Sequence, residues 1–343
     1  MSLGRHHGQN IKRERTVADV LLGVLALPTH GAFLVADDPH QFVRAAIRDE
    51  TLDVHQYWRM ATPEHGATAW PPKGPFDGAT LRLSKDKTAF EMTLHALAAA
   101  LPPGAPLWVY GANDEGIKST AKKLEPLFVD VETMETRRHC RVLRAYRSSH
   151  DESLKPRLDD WSMQSTLTHP GGAVVHRHYP GLFAKGKLDP GTALLLDAVE
   201  VPAPGIHILD YACGAGVIAA ELQRRQPTAQ FTLADADAVA IVAAQQNVPH
   251  AAVHTLADPM MLPNQPTFDM VVSNPPIHTG KERDYRIVQR LIEAAAMHLR
   301  KGAPLWMVVQ RQVPLIDALQ THMAGAQCVR DDGRFHVWRA IRP

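Results

Sequence analysis

Ser273-Asn274-Pro275-Pro276-Ile277-His278 follows the apolar run Phe268-Asp269-Met270-Val271-Val272 and is therefore expected in the loop that leaves a buried strand. Two successive prolines lack backbone N–H groups and fix φ, so such a loop is stiff and offers mainly carbonyl oxygens, with the Asn274 side-chain oxygen beside them. A planar NH2 group would find two acceptors there. Taken alone, the tripeptide is equally an ordinary proline turn after a strand, and its surroundings have to decide.

A second stretch has the same character. Ile206-His207-Ile208-Leu209 leads into Asp210-Tyr211-Ala212-Cys213-Gly214-Ala215-Gly216 and then a helical run over 217–225, which reads as strand, glycine-rich turn, helix. Such a turn lets a ligand approach the backbone, and a helix N-terminus favours an anionic group. The third glycine of a dinucleotide fingerprint is absent, so a pyrophosphate is not implied. Thr232-Leu233-Ala234-Asp235 then reads as a second strand ending in an acid 25 residues after Asp210, as needed to hold ribose hydroxyls. Asp258, after a further loop, and Asn274 complete the series. Each acid alone is more often a turn residue or a helix cap. Four strand ends in this order favour a ligand site, because ligands of open parallel sheets collect at the strands' carboxyl ends.

The elements that must position these residues fit an α/β chain. With 343 residues, 45% hydrophobic and 21% charged, two domains with real cores are expected. A net charge of +1 places any nucleic-acid contact in local patches. Cys140, Cys213 and Cys328 are widely separated and form no Cys-x-x-Cys pair, which fits a reducing cytosol. The 19 histidines are scattered, and pairs such as His176-x-His178 lack a partner cluster, so no metal is expected. Neither a signal peptide nor an apolar run long enough for a membrane span is visible, so a soluble, cytoplasmic protein with no membrane partner is expected. Residues 1–15, polar and basic, read as a frayed tail.

An internal echo sets the domain organisation. Leu101-Pro-Pro-Gly104-Ala105-Pro106-Leu107-Trp108-Val109 is matched by Leu299-Arg-Lys-Gly302-Ala303-Pro304-Leu305-Trp306-Met307, and Val142-Leu143-Arg144-Ala145-Tyr146-Arg147 by Val337-Trp338-Arg339-Ala340-Ile341-Arg342. Two similar α/β domains are expected, 16–150 and 181–343, with 151–180 as the linker. Where the second copy has Asn274-Pro275-Pro276, the first has Ser84-Lys85-Asp86-Lys87, so the first reads as a retired copy. Every cofactor-side motif lies in 181–343, so that segment is expected to hold the cofactor alone. The basic residues Arg137, Arg138, Arg141, Arg144 and Arg147, with His139 and with Lys118, Lys122 and Lys123, crowd the first copy; they read either as a phosphate-binding cluster or as a solvated face.

These motifs resemble the class I S-adenosylmethionine-dependent methyltransferases, and within them the guanine-N2 methyltransferases of small-subunit ribosomal RNA. The resemblance covers nearly the whole chain. It is carried by Pro180-Gly181-Leu182-Phe183, by Leu188-Asp189-Pro190-Gly191-Thr192, by Leu209 to Gly216, by Asn274 to His278 and by Gly333 to Ala340. It implies two tandem Rossmann-like methyltransferase domains, the first degenerate, cofactor-free and suited to RNA binding. It also implies S-adenosyl-L-methionine as cofactor, ribosomal RNA or the small ribosomal subunit as partner, and a monomer. Carried onto this chain, Asp210, Ala212, Gly214 and Gly216 line the methionine end, Asp235 holds the ribose and Asp258 the adenine amine. Asn274 borders the cofactor and, with the Pro275 carbonyl, holds the target amine, while Pro276, Ile277 and His278 bind the substrate base.

Two departures stand out. Ala212 replaces the family's usual glycine, and Ile277 its usual aromatic residue, whose ring would contribute roughly 1 to 3 kcal/mol by stacking on a flipped base. The alternatives are an enzyme of the same kind acting on another planar amine (large-subunit ribosomal RNA guanine, DNA adenine or protein glutamine) and a non-catalytic RNA-binding ribosome-assembly protein. A nicotinamide oxidoreductase is disfavoured by the missing third glycine.

Overall fold

The computed structural model describes residues 3–169, 172–264, 266–276, 278–279, 282–283 and 285–343. The chain forms two units, one of Met1–Arg59 with Trp70–Trp161 and one of Met60–Ala69 with Ser162–Pro343.

The first unit runs α1 (Leu3–Leu22), β1 (Gly31–Ala36), α2 (Phe42–Ala46), β2 (Leu52–Tyr57), β3 (Gly78–Arg82), α3 (Lys87–Ala100), β4 (Pro106–Ala112), α4 (Ala121–Leu124), β5 (Phe128–Arg137) and β6 (Cys140–Arg147). Its sheet has the order β2-β1-β3-β4-β6-β5, parallel up to β4 and antiparallel beyond. β3 is buried at every residue, as in a strand covered on both faces, and it carries the buried Arg82 at its end.

The second unit runs β7 (Met163–His169), β8 (Gly172–His178), α5 (Pro190–Ala198), β9 (His207–Tyr211), α6 (Val217–Arg225), β10 (Gln230–Asp235), α7 (Ala238–Asn247), β11 (Ala252–Thr255), β12 (Met270–Ser273), the short pair β13 (His278–Thr279) and β14 (Glu282–Arg283), α8 (Arg286–His298), β15 (Pro304–Gln310), α9 (Ile316–His322), β16 (Ala324–Asp331) and β17 (Phe335–Ile341). Its main sheet, β11-β10-β9-β12-β15-β17-β16, repeats the first with one more edge strand. From β9 the chain winds outward through β10 and β11, then returns to the other side of β9 as β12. The switch in direction therefore falls between β9 and β12, where open α/β sheets leave a crevice.

Three expectations need correction. From Leu3 on, the stretch expected as a frayed tail is helical, since α1 spans Leu3–Leu22. Val17, Ala18, Val20 and Leu21 are buried, and Glu14 pairs with Arg82; the polar segment is ordered by partners far away in sequence. The 151–180 stretch is also not one linker. Residues up to Trp161 belong to the first unit, and β7 and β8 form an antiparallel hairpin of the second. Finally, the register aligns the two copies differently at the key loop. Ala79 pairs with Leu107 and Val271 with Leu305, and these leucines are equivalent in the echo, so Arg82 rather than Ser84 stands where the second copy has Asn274.

Candidate active site

At the carboxyl ends of β9, β10 and β12 the second unit holds a cavity of about 520 Å3. Its wall includes Ala212, Gly214, Asp235, Asn274, Pro275 and Pro276, so six of the residues expected at the site meet there. Others do not line it. Gly216 ends the turn as the N-cap of α6, with φ 78°. A Cβ there would stand 3.2 Å from the Ala244 Cα, so close packing of α7 requires glycine. Ile277 lies outside the described residues, and for His278 only the backbone is described, as the first residue of β13.

Asn274 is held by residues distant in sequence. Its Nδ2 donates to Asp189 Oδ2 at 3.0 Å and to Thr192 Oγ1 at 2.9 Å, and Asp189 is itself the N-cap of α5. A carboxylate only accepts, so this pair fixes the amide with its nitrogen toward α5. Among the described residues Oδ1 receives no protein donor, which leaves one oriented acceptor beside the proline carbonyls. Ser273 Oγ donates to the Tyr211 carbonyl at 2.6 Å and ties the ends of β12 and β9 together. In the sequence Asp189 and Thr192 stand only within the stretch that carries the family resemblance, and nothing local joins them to Asn274.

The acids differ in environment. Asp235 accepts from Gly214 N at 2.8 Å through Oδ2 and from Asp237 N at 2.9 Å through Oδ1. Burial pushes its pKa up to about 6. Asp210 is fully buried beneath the turn and does not reach the wall, contrary to its expected place. Its Oδ2 accepts from Ala219 N at 3.2 Å, and its Oδ1 has no partner. Burial raises its pKa to about 8, with nearby Asp235 adding to the rise. Asp258 reaches the cavity only through its neighbour Ala257, because its own oxygens accept from Met260 N at 2.9 Å and from Arg290 at 2.6 Å.

The glycine turn is clamped from outside as well. Its Ala215 carbonyl accepts from Asn247 Nδ2 at 2.9 Å and meets His176 Nε2 at 3.0 Å. Burial holds the His176 pKa down at about 4, so the ring is neutral near pH 7, and a carbonyl partner requires the proton on Nε2. His176 was visible in the sequence only as half of an unlikely metal pair. Among the described residues no group of three His, Cys, Asp or Glu side chains is placed to hold a metal ion.

Ala212 has φ 55°, in the left-handed region where a Cβ is strained. Replacing it with glycine relieves roughly 1 to 2 kcal/mol, against about 0.4 to 1 kcal/mol lost to a more flexible unfolded chain. Ala212→Gly is therefore expected to raise stability by up to about 1.5 kcal/mol, read as a later denaturant midpoint with an unchanged slope. A lower midpoint would mean that the alanine methyl packs favourably enough to outweigh the strain.

Open N–H groups at the start of α6, a carboxylate at the end of β10, an orphaned carboxyl oxygen beneath the turn and a fixed amide acceptor fit an amino-acid nucleoside placed against a planar amine. Together with the two-sheet fold they define an S-adenosylmethionine-dependent methyltransferase. The methyltransferase small domain model matches residues 173–339, and the methyltransferase small domain N-terminal model matches residues 40–165. The chain is 32% identical over 325 residues to ribosomal RNA small subunit methyltransferase C of Pseudoalteromonas atlantica, covering 92% of this chain and 93% of that one. It is 31% identical to the protein of that name from Stutzerimonas stutzeri, covering 79% and 81% respectively. Among solved structures, the T. thermophilus 16S rRNA N2 G1207 methyltransferase (RsmC), in complex with AdoMet and guanosine, superposes with a TM-score of 0.79 at 20% identity, over 96% of this chain and 92% of that one. The chain belongs to the methyltransferase small domain family, beside the proteins named ribosomal RNA small subunit methyltransferase C.

Proposed function

We propose that this chain transfers the methyl group of S-adenosylmethionine to the exocyclic N2 amine of a guanine in small-subunit ribosomal RNA. The observation that carries the reading is the Asn274 acceptor, oriented by Asp189 and Thr192 beside the Pro275 carbonyl and facing a cavity with Asp235 on its wall. When bound, the cofactor supplies an electrophilic methyl group on a sulfonium. The protein's part is positioning, electrostatics and exclusion of water. Asn274 Oδ1 and the Pro275 carbonyl accept the two amine hydrogens, which aims the nitrogen lone pair into the cavity. The amine becomes acidic as it is methylated, so no strong base is required. Pro276 flanks the base, and Gly214, on the cavity wall beside Ala212, allows the methionine end close to the backbone. Asp210 acts from beneath that turn, and Asp258 serves the adenine amine with an oxygen it shares with Arg290.

The first unit is read as cofactor-free. Where the second copy has its cavity acceptor, the first has Arg82, whose guanidinium is buried and neutralised by Glu14 and Glu115, each at 2.8 Å. Asp38 accepts from the Phe42, Val43 and Arg44 N–H groups at the start of α2, whereas at the start of α6 Asp210 accepts from Ala219 N alone. Both features occupy groups that the second copy leaves available to a ligand.

RNA contact is assigned to what remains of the basic cluster. Arg147 is withdrawn from it, being 4% exposed and bonded to the Ala98, Leu127 and Ser148 carbonyls. Arg144 pairs with Glu132 and lies over the Tyr146 ring. Arg137 ends β5, and Arg138 and His139 form the turn to β6; all three are exposed, as are Lys118 and Lys122. The reading includes a monomer acting in the cytoplasm on ribosomal RNA or the small subunit.

Cofactor affinity should depend on pH through Asp235. Its raised pKa means the carboxyl is largely protonated below about 6, whereas the ribose hydroxyls need acceptors and so favour the ionised form. Binding is expected to tighten about tenfold from pH 5 to pH 7, with proton release near pH 6. Calorimetry in buffers of different ionisation enthalpy checks both, and a flat profile would remove Asp235 from the ribose. The reaction itself is tested by transferring labelled methyl groups to ribosomal RNA and to small subunits from a strain lacking this protein, then mapping the modified base. Label on another amine, or no transfer, would overturn the reading.

A further inference from the structure

We propose that Met60 packs on the nucleoside of the bound cofactor, so that the cofactor site is assembled from two stretches far apart in sequence. In the chain Met60–Ala69 falls between β2 and β3, yet these residues belong to the second unit. The strap is fixed at its start: Met60 forms an antiparallel bridge with Asp237, and Ala61 N donates to the Ala236 carbonyl at 2.8 Å. It then closes on itself, with Thr62 N donating to the His65 carbonyl at 3.0 Å. Met60 is 50% exposed and is itself part of the cavity wall. With its backbone held at Asp237 and Ala236, this apolar side chain stays at the cavity, where a ligand that covers it gains apolar contact.

The place of the anchor says which part of the ligand that is. Met60 pairs with Asp237, two residues after Asp235, so this assignment rests on the reading of Asp235 as the ribose acid. The rest of the wall on this side is small, with Ala236, Ala240 and Ala257 leaving room for a flat ring. A thioether is unbranched and polarisable, and it packs well on the face or edge of a planar π-system. The segment 181–343 therefore lacks one wall of the site it was expected to hold alone, and the missing piece is neither a motif nor part of a strand.

The test uses the full-length chain. Calorimetric affinities are measured for S-adenosylhomocysteine and for 5′-methylthioadenosine, which lacks the amino-acid end, with Met60→Ala, Met60→Leu and Asp235→Asn. Met60→Ala is expected to weaken both ligands by a similar factor of about five, the loss of roughly half a buried apolar side chain. Met60→Leu, of similar volume, is expected to retain most of the affinity. The thermal midpoint of the ligand-free variants should stay at the wild-type value, because a half-exposed side chain contributes little to the core. Unchanged affinity for both ligands in Met60→Ala overturns the proposal, as does a loss confined to S-adenosylhomocysteine. Asp235→Asn keeps the two failures apart. If it binds normally while Met60→Ala is weakened toward both ligands, the ribose reading falls and Met60 stays at the nucleoside.

Discussion

Asn274→Ala is expected to slow the methyl-transfer step by about a hundredfold or more, the scale seen when one oriented polar group is removed from a transition state. The side chain is placed for this role by the bonds that use up its nitrogen. Nδ2 is committed to Asp189 and Thr192, so only Oδ1 is left to face the cavity. Loss of that oxygen should leave RNA affinity nearly unchanged and cofactor affinity only mildly affected. Single-turnover methylation at saturating cofactor and RNA isolates the step. Asn274→Asp sharpens the test, because it sets a second carboxylate against Asp189 where the amide now donates at 3.0 Å. Two carboxylates at that distance cannot both ionise without cost, so this variant should disturb the loop and lose activity although it keeps an acceptor. Were Asn274 merely a turn residue before two prolines, Asn274→Ser would preserve activity. Near-wild-type rates in a folded, cofactor-bound alanine variant would overturn the catalytic assignment.

Asp235→Ala is expected to weaken cofactor binding by roughly tenfold to a hundredfold, since charge-assisted hydrogen bonds contribute about 1.5 to 3 kcal/mol. The same carboxylate accepts from Gly214 N and Asp237 N, so the substitution also removes the ties that hold the glycine turn. A lower thermal midpoint without ligand should accompany the loss of affinity. Asp235→Asn retains one acceptor oxygen and should lie between wild type and alanine in both measurements. If the alanine variant loses stability while its dissociation constant for S-adenosylmethionine is unchanged, the carboxylate serves only the turn.

Much of this molecule follows from local pattern. The strand, glycine turn and helix from Ile206 to Arg225, the acid ending β10 and the proline loop after β12 are all contiguous motifs, and period and turn chemistry are enough to read them. The echo between Leu107-Trp108 and Leu305-Trp306 likewise fixed the duplication, because equivalent buried strands keep equivalent residues. What the sequence left open were pairings at long range. The orientation of Asn274 depends on Asp189, 85 residues earlier, and the place of Arg82 depends on strand register, which a run of apolar residues does not number. Arg147 looked like part of a basic surface until the carbonyls around it were visible, and the polar start of the chain looked unstructured until Glu14 met Arg82. Met60 carries no motif at all; its position at the cavity comes from one bridge to Asp237. Local preference sets which elements form, whereas the partner of each polar group is decided by folding, since a buried donor or charge is stable only where the packed chain supplies its complement.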